Sequence, residues 1–173
     1  MVVTKNTTIP SDEDLTVQEV DVSGVVLRAA SFHLGKYCED VNNEFMLCRG
    51  ETKDIRKCLT EGKAVTNCSL EFFQKVKTSC FQEFTNYYNC IDKSSPNYQL
   101  EPCRKTQKVF DKCMVDNLNL ERPHYGYFCE VKVHDSPRPK PEAEVRVYAD
   151  TPEKIAIDSP KPPGKYGSRN MFF

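Results

Sequence analysis

Eight cysteines between Cys38 and Cys113 fall into four pairs, Cys38/Cys48, Cys58/Cys68, Cys80/Cys90 and Cys103/Cys113, and each pair encloses nine residues. On an α-helix, ten residues advance the chain about 15 Å and return it to within about 80° of its starting direction. Both sulfurs of a pair then project from one broad side of a helix. A bond within a pair fails there, because a disulfide holds its two Cα atoms within about 7 Å. Eight cysteines permit roughly a hundred pairings. Successive helices joined by a short loop prefer to lie antiparallel, so that outer cysteines face each other and inner ones do the same. The pairing that two such hairpins permit most easily is Cys38–Cys68 with Cys48–Cys58, and Cys80–Cys113 with Cys90–Cys103. The sequence does not prove that connectivity.

Other uses of the cysteines fit less well. Structural zinc ligands come in pairs about two to four residues apart, and a redox-active C-x-x-C is equally close; here no two cysteines are nearer than one of these pairs. The chain has 173 residues, nine cysteines, no Trp and 39% hydrophobic residues. A large apolar core is not expected, so covalent staples substitute for missing hydrophobic area. A net charge of −1 lacks the basic surplus of a nucleic-acid binder. No apolar run is long enough to span a bilayer. Such cysteine density favours an oxidising compartment. Yet the opening, MVVTKNTTIPSDEDLTVQEVDV, is interrupted by Asp12, Glu13, Asp14, Glu19 and Asp21, and the first arginine is Arg28. It reads as neither a secretory signal nor a matrix presequence. The mitochondrial intermembrane space fits that combination; a reduced, cytosolic protein is the alternative.

The local patterns agree with helices. Ser23 to Leu34 reads as a short helix capped by Ser23 and ended by Gly35. Glu44 to Cys48 reads as a shorter one with an irregular start, since Asp40, Asn42 and Asn43 favour turns. From Ile55 to Val76, the residues Ile55, Cys58, Leu59, Val65, Cys68, Phe72 and Val76 form a helical stripe behind an Asp54 cap. A third cysteine helix opens at Ser79, with Gln82 completing a capping box, and carries Phe81, Phe84, Tyr87, Tyr88 and Ile91. Pro102 suits the first turn of a fourth, lined by Val109, Phe110, Cys113, Met114 and Leu118. Eight of the eleven prolines follow Glu121, which excludes long helices there.

The expected fold is all-α: two disulfide-stapled antiparallel helical hairpins with a short N-terminal helix and an extended Pro-rich tail. The divisions are an arm over 1–34, a first hairpin over 35–76, a second over 77–120 and the tail over 121–173. The three histidines, His33, His124 and His134, show no ligand spacing and read as surface residues. No phosphate loop, dinucleotide fingerprint, zinc-protease motif or nucleophile elbow is present. No catalytic, cofactor-binding or metal-binding residue is expected, and an enzyme is not.

Four tandem C-x9-C motifs resemble the twin C-x9-C, or double coiled-coil-helix–coiled-coil-helix (CHCH), family. The strings EFMLCR (44–49), CLTEGKAVTNC (58–68), YYNCID (87–92) and CRKTQKVFDKC (103–113) are similar to its members in mitochondrial respiratory complex I. The resemblance covers about residues 23 to 120 and is looser outside them. It implies a non-catalytic accessory subunit on the intermembrane-space face, peripheral to the inner membrane, that braces and helps assemble the membrane arm. The implied partners are other complex I subunits and, during import, the disulfide relay of the intermembrane space. Cys129 stands outside the eight-cysteine pattern, as a free thiol or one paired beyond the chain. Two other readings are an assembly factor and a copper chaperone of the same family. The chaperone would carry an additional vicinal cysteine pair for Cu(I), whereas Lys36 and Tyr37 precede Cys38 here. The tail is expected to lie along neighbouring subunits through Tyr148, Tyr166, Phe172 and Phe173; failing that, the binding surface moves to the helices around Phe45, Phe73 and Tyr87.

Overall fold

Each of the four C-x9-C motifs takes the same local form. Its first cysteine, Cys38, Cys58, Cys80 or Cys103, is the N-cap of a helix, with φ between −136° and −100° and ψ between 21° and 34°. Its second cysteine lies inside that helix. In this computed structural model, which describes residues 8–140 and Glu142, the regular elements are all helical. They are α1 (Asp12–Leu15), α2 (Gly24–Tyr37), α3 (Glu39–Thr52), α4 (Leu59–Ser79), α5 (Phe81–Ser94) and α6 (Arg104–Leu118). Short 3-10 turns at Ile55–Cys58 and Glu101–Cys103 lead into α4 and α6, and a third covers Tyr127–Cys129.

Helices α3 and α4 form one antiparallel hairpin and α5 and α6 the other. Cys38 bonds to Cys68, Cys48 to Cys58, Cys80 to Cys113 and Cys90 to Cys103, with Cα atoms 5.9 to 6.0 Å apart. Every bond thus ties the start of one helix to the interior of its partner. That fixes the register of each pair from both ends.

The apolar core belongs mostly to the second hairpin. Phe84, Tyr87 and Ile91 of α5, Phe110 and Met114 of α6, Phe72 and Val76 near the end of α4, and Val25, Ala29 and Ala30 of α2 make one buried cluster. Phe84 and Phe110 pack with ring centroids 5.0 Å apart, and Tyr87 stacks on Phe110 at 5.9 Å. Burial of each large side chain contributes roughly 1.5–3 kcal/mol. The small Ala29 and Ala30 let α2 come close. By contrast, α3 buries a single residue, Cys48, and α4 buries only Phe72 and Val76, at its far end. The first hairpin is therefore held by its disulfides more than by apolar contact.

Several local expectations are corrected. Gly35 does not end α2, which runs on to Tyr37. The glycine serves close approach instead: a Cβ there would lie 3.1 Å from Cζ of Phe128. Asp40, Asn42 and Asn43 sit within α3, whose first turn gains from Glu39 and Asp40 beside the helix dipole. Ser79 closes α4 instead of capping α5. The junction is one residue, Cys80, whose N–H donates to the Val76 carbonyl at 2.8 Å, leaving no room for a capping box. Asp54 does cap, accepting from the Arg56 amide, but the segment begins as a 3-10 turn. Helix α1 carries a capping box between Ser11 and Asp14 that the hydrophobic pattern did not reveal.

Candidate functional site

The chain after α6 doubles back over the first hairpin. Asn119 turns it in the left-handed region (φ 50°), and Arg122 reaches Asp111 at 2.9 Å. The turn Tyr127–Cys129 then rests on α2 and α3. Tyr127 donates to Glu39 at 2.6 Å and also meets Lys36. Lys132 bonds to Glu39 at 2.8 Å and lies over the Tyr127 ring. Glu44 gathers His134 at 2.7 Å, Ser136 at 2.8 Å and Arg138. Arg138 also reaches Glu51 at 3.3 Å and Glu61 at 3.7 Å. Residues 127–138 thus form a strap whose cations and hydroxyls meet carboxylates of α3 and α4. Hydrogen bonds from Lys132 and Tyr127 hold the Glu39 carboxyl at about 2, and those from Arg138, His134 and Ser136 do the same for Glu44.

This contact narrows the expectation that the whole segment from residue 121 must find its order on other proteins. Its first part has a seat on the chain itself. The expected anchors Tyr148, Tyr166, Phe172 and Phe173 lie outside the described residues. Of the fallback surface, Phe45 and Phe73 are half-buried, while Tyr87 is fully buried in the core. His33 is likewise no surface residue but fully buried. Its ring packs edge-on against Phe110, its Nε2 lies 3.5 Å from Asp111, and burial pushes its pKa down to about 4. His134 is half-buried on Glu44, and only His124 is well exposed.

The eight paired cysteines are consumed in disulfides, and Cys129 is an exposed free thiol on the strap. Cys48, Cys58 and Glu61 bring a carboxylate and two sulfurs together, but disulfide sulfurs offer no thiolate to a metal. No helix among the described residues is long and apolar enough to cross a membrane. Exposed apolar side chains include Ile9, Met46, Ile55, Phe81, Val109, Phe128, Val131 and Val133. The arrangement offers surfaces for other proteins, on a covalently fixed frame.

No protein-family profile matches the chain. It is similar to the NADH-ubiquinone oxidoreductase 20.8 kDa subunit of Neurospora crassa, at 29% identity over 170 residues that cover 95% of this chain and 87% of that protein. It is also similar to NADH dehydrogenase [ubiquinone] 1 alpha subcomplex subunits 8-B and 8-A of Arabidopsis thaliana. Each is 31% identical over 90 residues, covering 52% of this chain and 83% or 82% of the relative. The fungal match extends well past the hairpins into the tail, whereas the plant matches are about the length of the helical region. With four disulfides on two helical hairpins and relatives of this kind, the chain belongs to the family of the alpha subcomplex subunit 8 of NADH–ubiquinone oxidoreductase.

Proposed function

We propose that the chain is a non-catalytic accessory subunit of mitochondrial complex I, seated on the intermembrane-space face of the inner membrane. There it braces the membrane arm and helps it assemble. The observation that carries this reading is a fully disulfide-bonded helical frame in a chain whose relatives are named as subunits of that oxidoreductase. Disulfides persist in oxidising compartments and are lost to reduction in others, which supports the intermembrane space over the matrix. A division into successive stapled units, 35–76 and 77–120, suits a brace, because disulfides fix each hairpin internally and the cluster of Phe72, Val76, Phe84 and Phe110 joins the two. The disulfide relay of the intermembrane space would close the four bonds. Other complex I subunits are its partners, with no nucleic acid involved, and no helix among the described residues is long and apolar enough to span the membrane.

Native gel electrophoresis of solubilised mitochondria tests the placement. The chain is expected to co-migrate with intact complex I and to become protease-sensitive once the outer membrane is opened. Its appearance only in smaller assembly intermediates would favour a transient factor. Protection from protease in mitoplasts would place it in the matrix and overturn the reading.

A further inference from the structure

We propose that Cys80–Cys113 is a thiol–disulfide exchange site, at which a small thiol opens the outer bond of the second hairpin while the other three bonds stay closed. An attacking thiolate must reach one sulfur of a disulfide and expel the other. Cys48 and Cys58 are both buried, so their bond offers no sulfur for attack. The Glu61 carboxylate also lies within 4.8 Å of both sulfurs. Its charge opposes an arriving thiolate and a departing one, and Arg138 at 3.7 Å offsets only part of it. Each of the other three bonds joins a buried sulfur, of Cys38, Cys80 or Cys103, to a half-buried one, of Cys68, Cys113 or Cys90.

What separates Cys80–Cys113 from these is Asn117, one turn beyond Cys113 on α6. Its Nδ2 lies 3.2 Å from Sγ of Cys113 and 3.7 Å from Sγ of Cys80. One of its two protons goes to the Cys113 carbonyl at 3.2 Å, which leaves the other for the sulfurs. Donation to Cys113 makes that sulfur more electrophilic, and donation to Cys80 stabilises it as a leaving thiolate. Cys90–Cys103 has the Ser94 hydroxyl, 3.3 Å from Sγ of Cys103, whose single proton is shared with the Ile91 carbonyl. Among the described residues, no side-chain donor meets either sulfur of Cys38–Cys68.

The opening step is an exchange. The thiolate bonds to Sγ of Cys113, the Cys80–Cys113 bond breaks, and its electron pair leaves with Sγ of Cys80. The products are a mixed disulfide on Cys113 and a thiolate on Cys80. Return attack by Cys80 on the Cys113 sulfur expels the thiol and restores the staple. The hairpin survives the open interval because Phe84, Tyr87, Phe110 and Met114 share one core and Cys90–Cys103 stays closed. The site is a property of this chain and does not rest on the complex I reading.

The test exposes the full oxidised chain to reduced glutathione without denaturant. Samples taken over time into excess maleimide are mapped by peptide mass spectrometry. Beyond Cys129, the first labelled cysteine should be Cys80, with glutathione or a label on Cys113, and Cys48–Cys58 should open last. Asn117→Leu, altered at an exposed side chain, should slow labelling of Cys80 about tenfold. It should leave the circular dichroism and the opening rate of Cys90–Cys103 unchanged. An unchanged rate at Cys80 in that variant overturns the proposal. So does first opening of any other bond, or simultaneous opening of all four, which would mean that reduction waits for global unfolding. Glutathione recovered on Cys80 instead of Cys113 would reverse the leaving group and overturn it as well.

Discussion

At His33 an imidazole sits beyond the reach of water, and its pKa falls from 6.5 to about 4 because burial disfavours the charged ring. The unfolded chain takes up a proton below pH 6.5 that the folded chain refuses until about pH 4. This group therefore leaves stability intact above pH 6.5, lowers it progressively toward pH 4, and adds nothing further below that. Between pH 7 and pH 5 the loss should be about 2 kcal/mol. Urea titrations at the two pH values check it: His33→Gln should remove most of the difference, and an unchanged pH dependence in that variant would rule the account out. The role of His33 was legible in its spacing more than its type. Position 33 continues the buried row of Val25, Ala29 and Ala30, four residues after Ala29, but reading histidine as a surface residue hid it. Tyr87 was legible as one of the aromatics of the third cysteine helix, and its wholly buried ring places it in the core and not on the fallback binding surface. The cysteines were readable because covalent geometry admits few arrangements, whereas packing admits many.

Among the elements, the two hairpins carry unequal amounts of apolar core, and their response to losing a staple should differ. The outer bonds span 30 and 33 residues and the inner ones 10 and 13. Loop-closure entropy assigns roughly 3.5 kcal/mol to an outer bond and roughly 3 to an inner one. Replacing Cys38 and Cys68 by Ser should open α3 and the first half of α4, which have little else to hold them. Replacing Cys80 and Cys113 should leave α5 and α6 associated through Phe84, Tyr87, Phe110 and Met114. Amide exchange on both variants reads the contrast; equal loosening would show that the core does not make the difference. The strap adds a pH signature of the opposite chemical kind. Glu39 and Glu44, held at about 2 against 4.5 unperturbed, contribute fully above about pH 4.5. That contribution disappears as pH falls toward 2. Limited proteolysis after Lys132 should accelerate severalfold in that range, and Glu44→Gln should bring the acceleration to pH 7. Helix existence was readable from stripes and cysteine spacing. Helix ends were not, because Gly35 and Ser79 carry terminating chemistry that a close ring contact and a one-residue junction override.

For the whole molecule, the strap makes truncation position matter. A chain ending at residue 140 retains the contacts of Tyr127, Lys132, His134, Ser136 and Arg138 to Glu39, Glu44 and Glu51, and its denaturation midpoint should match the full chain. A chain ending at residue 120 leaves those carboxylates without partners and should unfold earlier, starting in the first hairpin. Equal midpoints for both truncations would reduce the strap to a surface decoration. What placed the strap could not be read from its prolines, since the charges it meets lie about ninety positions earlier in the chain. The capping position shared by Cys38, Cys58, Cys80 and Cys103 bears on reactivity. Amides left open at a helix start favour a nearby anion, so a thiol there ionises more readily than one in mid-helix. In a reduced chain whose helices have begun to form, these four sulfurs are expected to attack a disulfide-bearing oxidant first, each forming a mixed disulfide, and Cys48, Cys68, Cys90 and Cys113 to displace the oxidant as its dithiol in the slower second step. Timed alkylation of the reduced protein near neutral pH should label the first set before the second, with the order vanishing in denaturant. The repeated spacing then encodes a sequence of chemical events as well as a register, with every helix supplying one fast thiol and one slow one.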